Sequence, residues 1–174
     1  PALQYFLFDY FSHPLLIDSL WPVRMVNHQT PVNPQYIMIF HPTLQNATIA
    51  HATYRSSVQG GGYRVALVNI LDLYDQFSFG IQHPLAIRNY IQYLIGTQSQ
   101  APQFLLLVGK GYVSDYVRKP RANISVLNNL IPTMGNPASD ILLTSGLGSS
   151  RLEPALPTGR ISARTNAEAE FFLS

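Results

Sequence analysis

The sequence predicts an α/β domain built on a parallel sheet, and three observations carry that prediction. Tyr36-Ile37-Met38-Ile39-Phe40 and Phe104-Leu105-Leu106-Leu107-Val108 are unbroken apolar runs of strand length. Neither face of such a run is made for water, which is how a central parallel strand covered by helices on both sides reads. The segments between them carry helix-period apolar residues. Each run also stops at turn-forming residues, His41-Pro42-Thr43 and Gly109-Lys110-Gly111.

Tyr36–Phe40 is the first buried strand. Thr43 is placed to cap a helix from Leu44 to Ser57. Leu44, Ala47, Ala50, Tyr54 and Val58 fall on one face of it at three- and four-residue steps. Gly60-Gly61-Gly62 stops that helix. Arg64 to Ile70 is the second strand, and Asp72 to Gly80 reads as a loop or short helical turn. Pro84 suits the first turn of a helix from Leu85 to Ile95, with Ile87, Ile91, Leu94 and Ile95 inward and Gly96 closing it. Phe104–Val108 is the third strand. Right-handed crossovers make the β-α-β-α-β unit parallel. A change of direction after the first strand gives the order 2-1-3, a three-layer plan of flavodoxin type.

After Tyr112 the pattern weakens. Asp115 to Asn129 reads as an exposed polar loop. Asn128–Thr133 and Asp140–Thr144 are expected as short strands, and Gly159–Ala163 as a short extended piece. Thr165 is placed to cap a last helix, with Glu168 as its capping-box partner. Residues 1–30 read as a lead-in that packs on the domain, with Leu3–Phe11 as a possible strand. The domain proper is expected over 31–174.

Composition narrows the function. The 174 residues suit one domain, and 47% apolar residues suffice for a core. Charged residues are only 11%, against the usual quarter or so. That suggests contacts with other parts of a larger protein. The chain opens at Pro1 and closes at Ser174 within a helix-like run, and is read as a piece of a longer one. A net charge of +2 argues against nucleic acid. The basic cluster Arg118-Lys119-Pro120-Arg121 reads as a solvated loop. There is no cysteine, so this chain holds no disulfide, no thiolate zinc site and no cysteine nucleophile. No apolar run approaches the roughly 18 residues of a membrane helix.

Four ordered blocks resemble the gingipain-type (C25 family) cysteine peptidases, including the sortase-like member of the type IX secretion system. The first is Tyr36–Phe40 with His41-Pro42. The second is Tyr54-Arg55 and Gly62-Tyr63-Arg64-Val65, then Tyr74-Asp75-Gln76-Phe77-Ser78-Phe79-Gly80 with Ala86-Ile87-Arg88. The third is Leu106-Leu107-Val108-Gly109 with Ile131-Pro132-Thr133 and Ser139-Asp140. The fourth is Pro157-Thr158-Gly159-Arg160-Ile161 with Thr165 and Glu168-Ala169.

The resemblance implies a caspase-like fold of two α/β subdomains. The second would carry a histidine in a Gly-His-Gly loop and a cysteine at a strand end. A nearby imidazole generates the thiolate that attacks a peptide carbonyl. None of the five histidines here lies in Gly-His-Gly. The resemblance therefore implies that this chain is the first, non-catalytic subdomain. Its parent would be a secreted or cell-surface cysteine endopeptidase, active or degenerate. Its partners would be the catalytic subdomain of the same chain and, through it, a polypeptide substrate. No cofactor is expected. Lys110 stands where the family has an acid, and the family's acid pair near Asp140 is reduced to Asp140-Ile141. Calcium, which needs several oxygen ligands, is left with Asp140 as a candidate ligand.

The candidate ligand or subdomain-contact residues are His41, Gly109, Lys110, Gly111, Asp140 and Arg160. Each also has a plainer reading. Gly109-Lys110-Gly111 is first a tight turn, because the Lys-Ser/Thr of a phosphate loop is missing. His41 is first a packed turn residue before Pro42. Asp140 reads as a turn or cap, and Arg160 as a structural ion pair or carbonyl clamp. A stand-alone module that binds a phosphorylated or nucleotide ligand at Gly109–Tyr112 is the competing reading, and a scaffold domain of a degenerate peptidase is a third.

Overall fold

The computed structural model describes residues 26–28, 33–113, 117 and 128–173. Four parallel strands form one sheet: β1 (Tyr36–Phe40), β2 (Val65–Asn69), β3 (Phe104–Val108) and β4 (Thr158–Ile161), in the order β2-β1-β3-β4. The expected 2-1-3 core is present, and the piece expected as merely extended becomes β4, an edge strand beside β3. The register aligns Phe40 with Asn69 and Val108, and Val108 with Ile161. All four strands therefore end level, and whatever follows them shares one edge of the sheet.

Side chains alternate across the sheet with the period of two that strands impose. Ile37, Ile39, Val68, Leu105 and Leu107 face α2 (Ile70–Ser78) and α3 (Leu85–Thr97). Met38, Phe40, Leu106 and Val108 face α1 (Gln45–Ser56) and α4 (Asn166–Leu173). The result is three layers with an apolar core on each side of the sheet.

Several local expectations are corrected. Asp72–Gly80, expected as a loop or short helical turn, is largely helix: α2 starts directly after β2 and runs to Ser78. Ile70, Leu73, Tyr74 and Phe77 repeat at helical spacing beneath the polar residues that suggested a loop, and the first three are buried. Asn69 caps α2 by accepting a hydrogen bond from the Leu71 N–H at 3.0 Å. Asn69→Ala should lower stability by about 1 kcal/mol, read as a shift of the urea midpoint with an unchanged slope.

Thr43 does not cap α1. A 3-10 turn, Pro42–Leu44, intervenes, and the His41 side chain accepts from the Thr43 N–H. Leu44 in that turn and Ala47 on α1 are inward as expected, joined by Thr48 and Ala52, whereas Ala50 is exposed and Tyr54 and Val58 are 51% and 90% exposed. Thr48 tolerates full burial because its hydroxyl donates to the Leu44 carbonyl at 2.7 Å. The helix ends at Ser56, before the glycines, and Ser57 is extended. Helix α3 runs past Gly96 to Thr97.

Asp140–Leu143 is a 3-10 turn rather than a strand. Residues 128–133 form no strand either, and Ile131 donates to the Lys110 carbonyl at 3.2 Å. Thr165 does accept from the Glu168 N–H, and Glu168 reaches back to the Arg164 N–H at 2.7 Å. Of the lead-in, residues 26–28 are described. His28 lies 3.0 Å from Asp72 on α2, and its N–H donates to Gln76. The expected strand Leu3–Phe11 and the basic cluster at 118–121 lie outside the described residues.

Candidate functional site

The level strand ends bring His41, Gly109, Lys110 and Gly111 to one edge, as in α/β sheets that gather ligands past their carboxyl ends. What the edge offers depends on which groups are already used. Gly109 donates its N–H to the Ile161 carbonyl at 2.9 Å, and Lys110 to Ala163 at 2.9 Å. Tyr112 donates to the Asn129 Oδ1 at 3.0 Å. These three N–H groups are turned into the protein, so they make no cradle for a phosphate.

The two glycines are required by close approach. Gly109 has φ of +151°, and a Cβ there would sit 3.0 Å from the Ile131 Cγ1. A Cβ on Gly111 would collide with the Ile131 carbonyl oxygen and lie 3.0 Å from the Arg160 Nη1. The turn after β3 is thus pressed against the 130–133 loop, with Arg160 beneath.

Arg160 organises this region. Its Nε and Nη2 donate to the two carboxylate oxygens of Asp140 at 2.7 and 2.8 Å. Its Nη1 donates to the Gly109 carbonyl at 2.7 Å and the Ile131 carbonyl at 2.9 Å, and Nη2 also reaches Pro132 at 3.4 Å. A guanidinium has five N–H donors, and all are accounted for. Arg160 therefore has no donor left for a ligand. It joins β4, the turn after β3, the 130–133 loop and the Asp140 turn at one point. Both Asp140 oxygens are occupied, and no group of three His, Asp or Glu converges among the described residues.

A second arginine does similar work nearby. Arg88 on α3 donates to the Leu142 carbonyl at 3.1 Å and the Ser145 carbonyl at 2.8 Å. The Ala86-Ile87-Arg88 block marked that residue in the sequence but gave it no role. Asn129, which no pattern singled out, is 6% exposed. It fastens Tyr112, and its own carbonyl accepts from the Gln82 side chain at 2.6 Å.

His41 borders a cleft of about 420 Å³ together with Thr43, Leu71, Tyr74, Gln82 and Asn129. Its Nδ1 accepts from the Thr43 N–H, so in the neutral ring the proton sits on Nε2. Partial burial lowers the His41 pKa below 6.5. The unfolded chain then binds the proton more readily than the folded one. The stability that neutral His41 contributes is complete above about pH 6.5 and is lost as pH falls through the depressed folded value. His41→Gln should flatten that part of a stability-versus-pH curve.

The edge thus holds an ordered pair of turns and an imidazole beside a cleft, its Nδ1 3.0 Å from the Thr43 hydroxyl, with no cysteine in the chain. The parallel sheet in three layers, tied at its carboxyl edge by Arg160 and Asp140, makes this an α/β domain. The chain belongs to peptidase family C25, whose family model matches residues 29–174. Among solved structures it is similar to dimeric latent PorU from Porphyromonas gingivalis, at 20% identity and a TM-score of 0.62, covering 80% of this chain and 15% of that one. It is also similar to the Arg-specific cysteine proteinase gingipain R (RGPB), at 13% identity and a TM-score of 0.56, covering 87% of this chain and 29% of that one. The chain therefore spans less than a third of either structure. Comparison with curated proteins found no match.

Proposed function

We propose that residues 31–174 are the non-catalytic first subdomain of a C25 cysteine endopeptidase, and that residues 1–30 are a lead-in packed on it. The observation that carries this reading is the family match over residues 29–174 in a chain without a single cysteine. A thiolate nucleophile and its Gly-His-Gly imidazole must then come from another stretch of the parent polypeptide. The work of this domain is mechanical. It presents a rigid sheet edge against which the catalytic subdomain is held, and the peptide substrate is met by the assembled pair.

The inward use of every Arg160 donor supports a bracing role over a ligand-binding one. So does the apolar surface on α4, where Phe171 and Phe172 are 79% and 60% exposed. Such surface suits contact with a further part of the same protein. An extracytoplasmic setting, secreted or at the cell surface, follows from the family reading. Among the described residues no helix is long and apolar enough to cross a membrane.

Purified alone, the 174-residue chain should cleave no peptide or protein substrate. Turnover that co-purifies with the chain and survives a thiol-alkylating reagent would refute the reading, since the chain itself has no thiol. The parent gene provides a second check: a Gly-His-Gly loop followed by a strand ending in cysteine marks an active peptidase. A parent lacking both would make this domain part of a degenerate scaffold.

A further inference from the structure

We propose that Lys110, Tyr112 and Arg164 form a docking point for an acidic polypeptide segment. Lys110 follows β3 and Arg164 follows β4, and the Lys110 N–H donates to the Ala163 carbonyl at 2.9 Å. The two residues are thereby fixed on adjacent loops at the same edge of the sheet. Both turn to one ring. The Lys110 Nζ lies 5.5 Å from the centroid of Tyr112, and the Arg164 Nη2 donates to the Tyr112 hydroxyl at 2.8 Å.

Neither cation is paired with a carboxylate among the described residues. The acid nearest to Arg164 in sequence, Glu168, spends its carboxylate on the main-chain N–H of Arg164 as a helix cap. Two like charges held on one phenol repel each other, and an anion placed between them offsets that repulsion. The ring holds both side chains in place, so less of their freedom is lost on binding. An arginine fork pairs well with a carboxylate, as it does with a phosphate.

The chemistry favours a carboxylate over a phosphate. A phosphate loop works through main-chain N–H groups, and those of Gly109, Lys110 and Tyr112 are all donated within the protein. Lys110 and Arg164 present their donors at the tips of side chains, one half-exposed and one exposed. That arrangement suits an acidic side chain arriving on another stretch of polypeptide. The inference is independent of whether this domain braces a peptidase.

The test is a titration of the 174-residue chain with an acetylated, amidated Gly-Glu-Glu-Gly peptide, followed by the NMR signals of the Tyr112 ring at low salt. Controls are the matching Gln peptide and inorganic phosphate. The acidic peptide should give saturable shifts, bind about tenfold tighter than its Gln counterpart, and weaken as salt rises. A Lys110→Gln and Arg164→Gln double variant should bind about tenfold more weakly. Either single variant should lose part of the affinity, and thermal melting should be little changed because both side chains reach solvent. Equal binding of the Gln peptide would overturn the proposal, as would full affinity in the double variant. Phosphate binding as tight as the acidic peptide would assign a small-anion site instead and overturn it too.

Discussion

Arg160→Ala should lower the stability of this domain by about 3–5 kcal/mol. The side chain is 11% exposed and Asp140 22%, so the pair is largely desolvated. Removing the guanidinium leaves the Asp140 carboxylate half-buried without its counter-ion. It also strips partners from the Gly109, Ile131 and Pro132 carbonyls. Unpartnered buried acceptors cost more than the bonds themselves contribute. Arg160→Lys should recover less than half the loss, because one ammonium cannot span a bidentate carboxylate and three carbonyls. Equilibrium urea unfolding of the three proteins measures this directly. A loss under 1 kcal/mol for the alanine variant would place the pair among ordinary surface bridges.

Gly111→Ala should lower stability by about 2–3 kcal/mol, the upper part of the overpacking range. The new methyl would meet the Ile131 carbonyl oxygen, a main-chain atom that Arg160 already holds. Neither partner can step aside without breaking the clamp. Gly96→Ala is the control: nothing lies within 4 Å of a Cβ there, and Gly96 sits inside α3, so it should stabilise by up to about 1 kcal/mol. If both substitutions behaved alike, the close approach of the turn to the 130–133 loop would be in error.

The sheet was legible because its central strands are buried on both faces. Tyr36–Phe40 and Phe104–Val108 are apolar without interruption, and no helix in water needs such a run. Strand β4 was harder to recognise. Thr158-Gly159-Arg160-Ile161 is a polar edge strand, and its place in the sheet is secured by pairing with β3 rather than by burial of its own side chains. Helix α2 was hidden by Asp72, Asp75 and Gln76, which point away from a buried stripe of Ile70, Leu73 and Tyr74.

The site divides along the same line. Gly109 and Gly111 announced a tight turn, and Arg160 read as a clamp, which is the geometry observed. The partners of that clamp were not legible: two of its three carbonyl acceptors lie in a segment, 130–133, that has no regular structure and carries no periodic signal. Asn129 escaped notice because one of two adjacent asparagines beside Leu130 gives no hint that it will be buried and fasten Tyr112. Lys110 drew attention as part of a phosphate turn, whereas its side chain lies over Tyr112.

The most direct test of the bracing role is reconstitution. The remainder of the parent polypeptide would be produced separately and assayed for thiol-dependent peptide cleavage, with and without the 174-residue chain. Cleavage only when both are present, and weakened when the added chain carries Arg160→Ala, is the predicted result. Equal cleavage by the remainder alone, or cleavage by the 174-residue chain alone, would contradict it.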